Sequence, residues 1–292
     1  MKILVTGGGG QVGREFADLQ DPNVIVLSRA ECDITSVQSI TAVINEHQPT
    51  IIVNTAAYTA VDKAEKEVEL AYQINRDGVA NLAKACAQAD IPLIHLSTDY
   101  VFDGTKKGAY CETDVPNPQS IYGKSKLAGE EVLMALHGKH IIVRVSWVFG
   151  QYGKNFVKTI QRLASERDEL KIVADQIGCP TSAASIANMI IQLCDKINKG
   201  QEKWGLFHYC NAPATTWFEF AKKIIAASNV NKPLSVLPLA TKEYPTPAKR
   251  PANSVLNCDK IQAVFDIMQA DWQQELVMVC QQLVGFQGKA TV

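Results

Sequence analysis

The stretch MKILVTGGGGQVGREF (residues 1–16) sets a short apolar run and a threonine before four consecutive glycines, and follows them with a helical-looking sequence. A strand, a glycine-rich turn and a helix N-terminus in that order make an anion site from backbone amides. The first N–H groups of a helix have no partners within it, and its dipole favours negative charge. Gly7, Gly10 and Gly13 have the spacing GxxGxxG. The first permits the tight turn, the second lets the backbone approach a pyrophosphate, and the third lets the helix pack closely on the sheet. Glycine spacing alone is a weak signal, and its position directly after a first strand is what points to a dinucleotide.

Further apolar runs follow at intervals that leave room for helices: KILV (2–5), VIVL (24–27), IIVN (51–54), PLIHLS (92–97), HIIVRVS (140–146) and LFHYCN (206–211). Each reads as a buried strand. Between them VQSITAVINEH (37–47), AYQINRDGVANLAKACAQA (71–89) and SIYGKSKLAGEEVLMAL (120–136) carry apolar residues at helical spacing. The alternation predicts an α/β fold, a doubly wound parallel sheet of the Rossmann-like kind covered on both faces. Beyond about residue 225 the chain is richer in proline and polar turns and fits a smaller C-terminal substrate-binding lobe. The expected division is a dinucleotide-binding domain over 1–160 and about 181–225, with the substrate lobe over about 161–180 and 226–292.

With 292 residues and 47% hydrophobic content the chain can bury a substantial core. Its 29 Lys+Arg against 30 Asp+Glu give a formal charge of -1, so no basic field gathers nucleic acid or an anionic membrane, and an anionic ligand must be held by local geometry. No run approaches the roughly 20 apolar residues of a membrane span, and the N-terminus reads without a signal peptide. A cytoplasmic protein with neither nucleic acid nor membrane as partner is expected. The eight cysteines are scattered without a C-x-x-C pair, which predicts reduced, mostly buried thiols rather than a zinc cluster or redox motif.

Which dinucleotide binds is read at the end of the second strand, where an acidic residue would accept both ribose hydroxyls of NAD. Ser28 and Arg29 stand there instead. Arginine can pair with a 2'-phosphate, so NADPH is the expected cofactor, with NADH as the second choice. Asp33 and Ile34 follow closely enough to border the adenine, and Ala56, Ala57 and Tyr58 follow the third strand, where backbone can run beside the cofactor. After the fourth strand comes HLSTDYVFDG, and 24 residues beyond Thr98 comes YGKSK, with Tyr122 and Lys126 four apart and thus on one helix face. A phenol is a feeble acid at neutral pH, and a neighbouring ammonium stabilises its phenolate. Tyr122 can then give a proton to an oxygen that becomes an alkoxide during hydride delivery, with the Thr98 hydroxyl on the carbonyl oxygen and Lys126 on the nicotinamide ribose.

At these residues the chain resembles the extended short-chain dehydrogenase/reductase superfamily and, more narrowly, the dTDP-4-dehydrorhamnose reductases. The narrower resemblance rests on GQVG (10–13), NTAAYTAVDKAE (54–65), STDYVFDG (97–104), YGKSKLAGE (122–130), RVSWVFG (144–150), NFV (155–157), DQIGCPT (175–181) and RPANSVL (250–256), in order along nearly the whole chain. It implies Thr98, Tyr122 and Lys126 as the catalytic triad, and Gly10, Gln11, Val12, Ala57, Tyr58 and Thr59 against the cofactor. A dTDP-sugar would then lie near Val61, Thr98, Asp99, Tyr122 and Trp147, with Arg250 and Asn253 available to its nucleotide. The implied activity is reduction of the C4 keto group of dTDP-4-dehydro-L-rhamnose to dTDP-L-rhamnose.

Two positions depart from that pattern. Some family members are dimers with magnesium held by carboxylates near the subunit contact. Glu15 matches one ligand, but Ala184 replaces a glutamate expected after PT. A hard cation wants several oxygen ligands, so no metal and a monomer or weak homodimer are expected. Arg29 is the second departure, standing where an acidic residue is common. Three rival readings remain. A dehydratase needs T-D-E where this chain has Thr98-Asp99-Tyr100. A related nucleotide-sugar epimerase shares the fold. A non-catalytic regulatory subunit resembling the beta subunit of methionine adenosyltransferase shares it too.

Overall fold

In the computed structural model, which describes residues 1–228 and 232–289, the opening sixteen residues form strand β1 (Ile3–Thr6), the glycine turn and the start of helix α1 (Gln11–Asp18). The chain continues through β2 (Val24–Leu27), α2 (Val37–His47), β3 (Ile51–Asn54), α3 (Val61–Ala64), α4 (Val68–Tyr72), a π-helical turn at Gln73–Asp77, α5 (Gly78–Ala89), β4 (Leu93–Thr98), α6 (Ile121–Leu136) and β5 (His140–Val145). Then come β6 (Val148–Phe149), α7 (Phe156–Glu166), β7 (Glu169–Val173), β8 (Ile177–Gly178), β9 (Thr181–Ser182), α8 (Ala183–Asn198), β10 (Gly205–His208), β11 (Thr215–Thr216), α9 (Trp217–Ala226), β12 (Ser235–Leu239), α10 (Asp259–Phe265) and α11 (Trp272–Lys289).

One six-stranded sheet runs in the order β10-β5-β4-β3-β1-β2 with every neighbouring pair parallel. Its members are the six apolar runs. Successive residues of a strand face opposite sides, and both sides are buried here. Ile3, Val5, Val53 and Val143 pack beneath α1, α8 and α10, whereas Leu4, Ile52 and Ile142 pack beneath α2, α5 and α6. Helix starts follow local chemistry: the Ser36 and Ser120 hydroxyls accept the Ser39 and Gly123 N–H groups and cap α2 and α6, each cap contributing about 1 kcal/mol.

The second body is small. Helices α7, α9 and α11 meet around Phe149, Val157, Phe220 and Trp272, beside the parallel pair β7 and β12. The apolar face of α9 thus packs with α7 and α11 rather than on the large sheet. Residues 229–231 and 290–292 of the expected lobe lie outside the described residues. All eight cysteines are free thiols, and seven of them are buried. His137, just past the end of α6, and His140, the first residue of β5, are buried and bonded to backbone carbonyls. Among the described residues no helix is long and apolar enough to cross a membrane.

Candidate active site

A cavity of about 710 Å³ opens at the carboxyl ends of β1 to β5, where ligands bind in sheets of this topology. Gly7, Gly10, Gln11 and Val12 enter it from the first turn, and Arg29, Asp33 and Ile34 from the end of β2. Ala56, Ala57, Thr59 and Val61 come from the chain after β3, while Thr98, Asp99, Tyr122, Lys126 and Trp147 close the other end.

The glycine turn has its shape for two reasons. Gly7 sits at φ +79°, and a Cβ on it would lie 2.5 Å from the Ala56 N atom. The Gly10 position caps α1 with no side-chain acceptor, so the first amides of the helix are left for something else. That is the cradle a pyrophosphate fits. Gly13 does not line the cavity, since its Cα hydrogen faces the Gly7 carbonyl, which a Cβ would approach to 2.3 Å.

Several expected positions lie elsewhere. Tyr58 is buried, its hydroxyl donates to Glu67, and its side chain does not reach the cavity. Its backbone is held from behind by Asn75, which accepts from Tyr58 N–H at 2.8 Å and donates to the Tyr58 carbonyl and the Ser125 hydroxyl. Asn75 belongs to the π-helical turn, and that turn joins the post-β3 loop to α6. Arg250 and Asn253, expected at the nucleotide of the substrate, are also outside the lining. The Arg250 guanidinium makes a two-pronged pair with Asp62 at 2.8 and 2.7 Å, and the Asn253 amide ties down the Lys106 and Gly108 carbonyls. Both Asn253 amide hydrogens and both Arg250 Nη1 hydrogens are thus committed within the protein.

At the catalytic end, the Thr98 hydroxyl donates to Asp99 at 3.0 Å, and Thr98 and Tyr122 both line the cavity. Burial pushes Tyr122 up to about 12, the Thr98 contact pulls it back in part, and Asp99 raises it further. Tyr122 therefore holds its proton at neutral pH. Lys126, one turn beyond Tyr122 on α6, has its amine nitrogen held from the β4 side. Its Nζ is 2.6 Å from the Leu96 carbonyl and 3.2 Å from His95 Nε2, and burial lowers it to about 8 while Glu130 opposes that fall. Burial also raises Asp99 to about 6. Tyr100, in the place of a dehydratase glutamate, packs edge-on against Tyr122 with ring centroids 5.5 Å apart.

Trp147 stands at φ +46°, a backbone state that is a real outlier for a bulky residue and marks a constrained site. Its indole donates to the Ser254 hydroxyl at 3.0 Å and stacks on Trp217 with centroids 3.5 Å apart. Trp217 also lines the cavity. It was not legible as a site residue, because it lies 70 positions from Trp147 and its own neighbourhood reads only as a helix start. Glu15 is buried near Asp18 and Glu275, and burial first and their charges next push it up to about 7. Among the described residues no group of three or more His, Cys, Asp or Glu is arranged to hold a metal.

The model of the RmlD substrate binding domain family matches residues 1–284. The chain belongs to the RmlD family. A dTDP-4-dehydrorhamnose reductase of Aggregatibacter actinomycetemcomitans is 47% identical over 284 residues, covering 94% of this chain and 97% of the relative. The RmlD fold recurs in a crystal structure of a dTDP-4-dehydrorhamnose reductase from Clostridium acetobutylicum, at 40% identity and a TM-score of 0.90 over 97% of this chain and 99% of that one. A Bacillus anthracis dTDP-4-dehydrorhamnose reductase in complex with NADP matches at 39% identity and a TM-score of 0.89, over 97% and 100% of the two chains.

Proposed function

We propose that this RmlD-family protein reduces the C4 keto group of dTDP-4-dehydro-L-rhamnose to give dTDP-L-rhamnose, using NADPH in preference to NADH. The observation that carries the reading is the meeting of Thr98, Tyr122 and Lys126 at one end of a cavity whose other end is an uncapped, glycine-built helix N-terminus. Near-full-length similarity to reductases of that name supports the choice of substrate. The test is direct: purified protein with the keto sugar and NADPH should consume reduced nicotinamide mole for mole with product. Absence of oxidation with either cofactor would defeat the reading.

The cradle of Gly7, Gly10, Gln11 and Val12 would hold the pyrophosphate, with Arg29 at the adenosine ribose and Thr59, Thr98 and Lys126 toward the nicotinamide. A reduced nicotinamide bound there would supply the hydride. Thr98 holds the carbonyl oxygen by hydrogen bonding, and Tyr122, kept protonated by its burial, gives its proton to that oxygen as negative charge develops. Positioned general acids contribute about 10²- to 10⁴-fold. The Trp147 and Trp217 stack forms an apolar wall for the sugar ring.

That wall can be tested through Gly178, where a Cβ would fall 2.3 Å from the Trp147 indole. The indole is held on its other sides by Ser254 and Trp217 and cannot simply swing clear. Overpacking of this kind costs about 1–3 kcal/mol, so Gly178→Ala should raise KM for the sugar by roughly tenfold, with KM for the cofactor unchanged. An unaltered sugar KM would remove Trp147 from the substrate site.

Cofactor preference should be modest. Arg29 is 72% exposed, and its Nε lies 3.4 Å from the Asp33 carboxylate, so its charge is both screened and shared. The preference for NADPH is expected at roughly three- to thirtyfold in kcat/KM, equivalent to about 0.7–2 kcal/mol. Arg29→Asp should reverse the order, and added salt should narrow the wild-type gap. Equal kcat/KM values that the substitution leaves untouched would make Arg29 a plain solvated side chain.

A further inference from the structure

A line of buried polar groups crosses the sheet behind the active site, and its hydrogen-bond directions can be counted. The Thr6 hydroxyl at the end of β1 donates to Asn54 Oδ1 at 2.8 Å, and the Ala56 N–H donates to the same oxygen at 3.1 Å. The amide orientation of Asn54 is thereby set, and its Nδ2, a donor only, faces His95 Nδ1 at 2.9 Å. His95 is fully buried in β4. Burial and the nearby Lys126 hold it well below its ordinary value, so it is neutral. A neutral imidazole that accepts at Nδ1 carries its proton on Nε2, and Nε2 is the atom 3.2 Å from Lys126 Nζ.

We propose that His95 is a positioning residue for the reduction, fixed by Thr6 and Asn54 in the tautomer whose Nε2–H is donated to the Lys126 amine. An ammonium has no lone pair to receive that proton, whereas an amine has one. The line therefore favours Lys126 in its uncharged form and holds its nitrogen between His95 and the Leu96 carbonyl. Opposing it is Glu130 on α6, one turn beyond Lys126, whose carboxylate is itself tied to Arg144 of β5 and to Ser97 of β4. Tyr122 lies one turn before Lys126 on α6, with Asp99 beyond it. Lys126 is thus poised between charge states close to neutral pH, consistent with its fall to about 8. The consequence for turnover rests on the reductase reading: once Tyr122 has given up its proton, Lys126 in its ammonium form can lend one toward the phenolate, and the amine left behind accepts the His95 Nε2–H.

Two measurements test this. Imidazole ¹⁵N NMR of the wild-type protein should show His95 as the Nε2–H tautomer, its signals assigned by their loss in His95→Phe. Asn54→Asp, which places an acceptor opposite Nδ1, should convert them to Nδ1–H. In the pH profile of kcat for keto-sugar reduction, His95→Phe should move the alkaline limb upward by about one unit, a tenfold change in proton concentration, because the amine has lost its donor. A purely structural role would lower kcat or melting temperature without moving the limb. An Nδ1–H tautomer in the wild type, or a limb within about 0.2 units of wild type in a folded His95→Phe, overturns the proposal. The NMR arm stands even if His95→Phe does not fold, since His95→Asn can serve the assignment in its place. It also stands if the keto sugar is not turned over, an outcome that would count against the substrate assignment alone.

Discussion

Tyr122→Phe should bind NADPH as the wild type does and lose at least about two orders of magnitude in kcat, which is the usual contribution of a positioned general acid and corresponds to about 2.7 kcal/mol of barrier. The substitution removes one oxygen and keeps the ring. Its packing on Tyr100 survives, so the cavity keeps its form. What disappears is a phenol hydroxyl that, at about 12, is fully protonated at working pH. Cofactor titration by fluorescence and steady-state turnover would separate the two effects. A variant within about threefold of wild type in kcat would mean that the proton comes from another group, with Asp99, at about 6, the first alternative.

Glu130→Ala should be the most destabilising single change near the site. Glu130 and Arg144 are 0% and 2% exposed, with Nε–Oε1 at 3.0 Å and Nη2–Oε2 at 2.6 Å. Removing the carboxylate leaves a guanidinium buried over the Phe102 ring with no counter-charge. Breaking such a pair by deleting one partner costs about 3–5 kcal/mol, which at a few degrees per kcal/mol lowers the melting temperature by roughly 10 °C. Pairing Glu130→Leu with Arg144→Met should restore much of the loss, since apolar replacement of both partners is often neutral. If Glu130→Ala melts within about 2 °C of wild type, the pair contributes little, and Arg144 has found water or another acceptor.

Legibility divided along physical lines. The sheet strands were readable because a parallel strand buried on both faces must be a short, nearly continuous apolar run, as IIVN is. The span of α2 was readable because its apolar residues recur at helical spacing. Residues near the glycine turn and in YGKSK were readable because their spacing has a local cause. Tyr58, Arg250 and Asn253 show the limit: whether a side chain faces a cavity or is consumed by a distant partner such as Glu67, Asp62 or the Lys106 carbonyl depends on contacts that no local pattern encodes. The π-helical turn was hidden inside AYQINRDGVANLAKACAQA for the same reason, since what it serves is Asn75 reaching Tyr58 and Ser125. His95 read as one polar interruption in an apolar strand, and its value emerges only when Asn54 and Lys126 are set on either side of it.

Strand β10 pairs with β5 although some sixty residues of chain separate them. During synthesis β5 is complete long before its outer neighbour leaves the ribosome, and all six of its residues belong to the finished interior. For that interval HIIVRV is a bare sheet edge, the kind of template on which chains pair with one another. The nascent protein is therefore most exposed to misassembly after residue 145 and before residue 208. A pause or truncation inside that window is more hazardous than one after it, and shielding of the half-made chain matters most there.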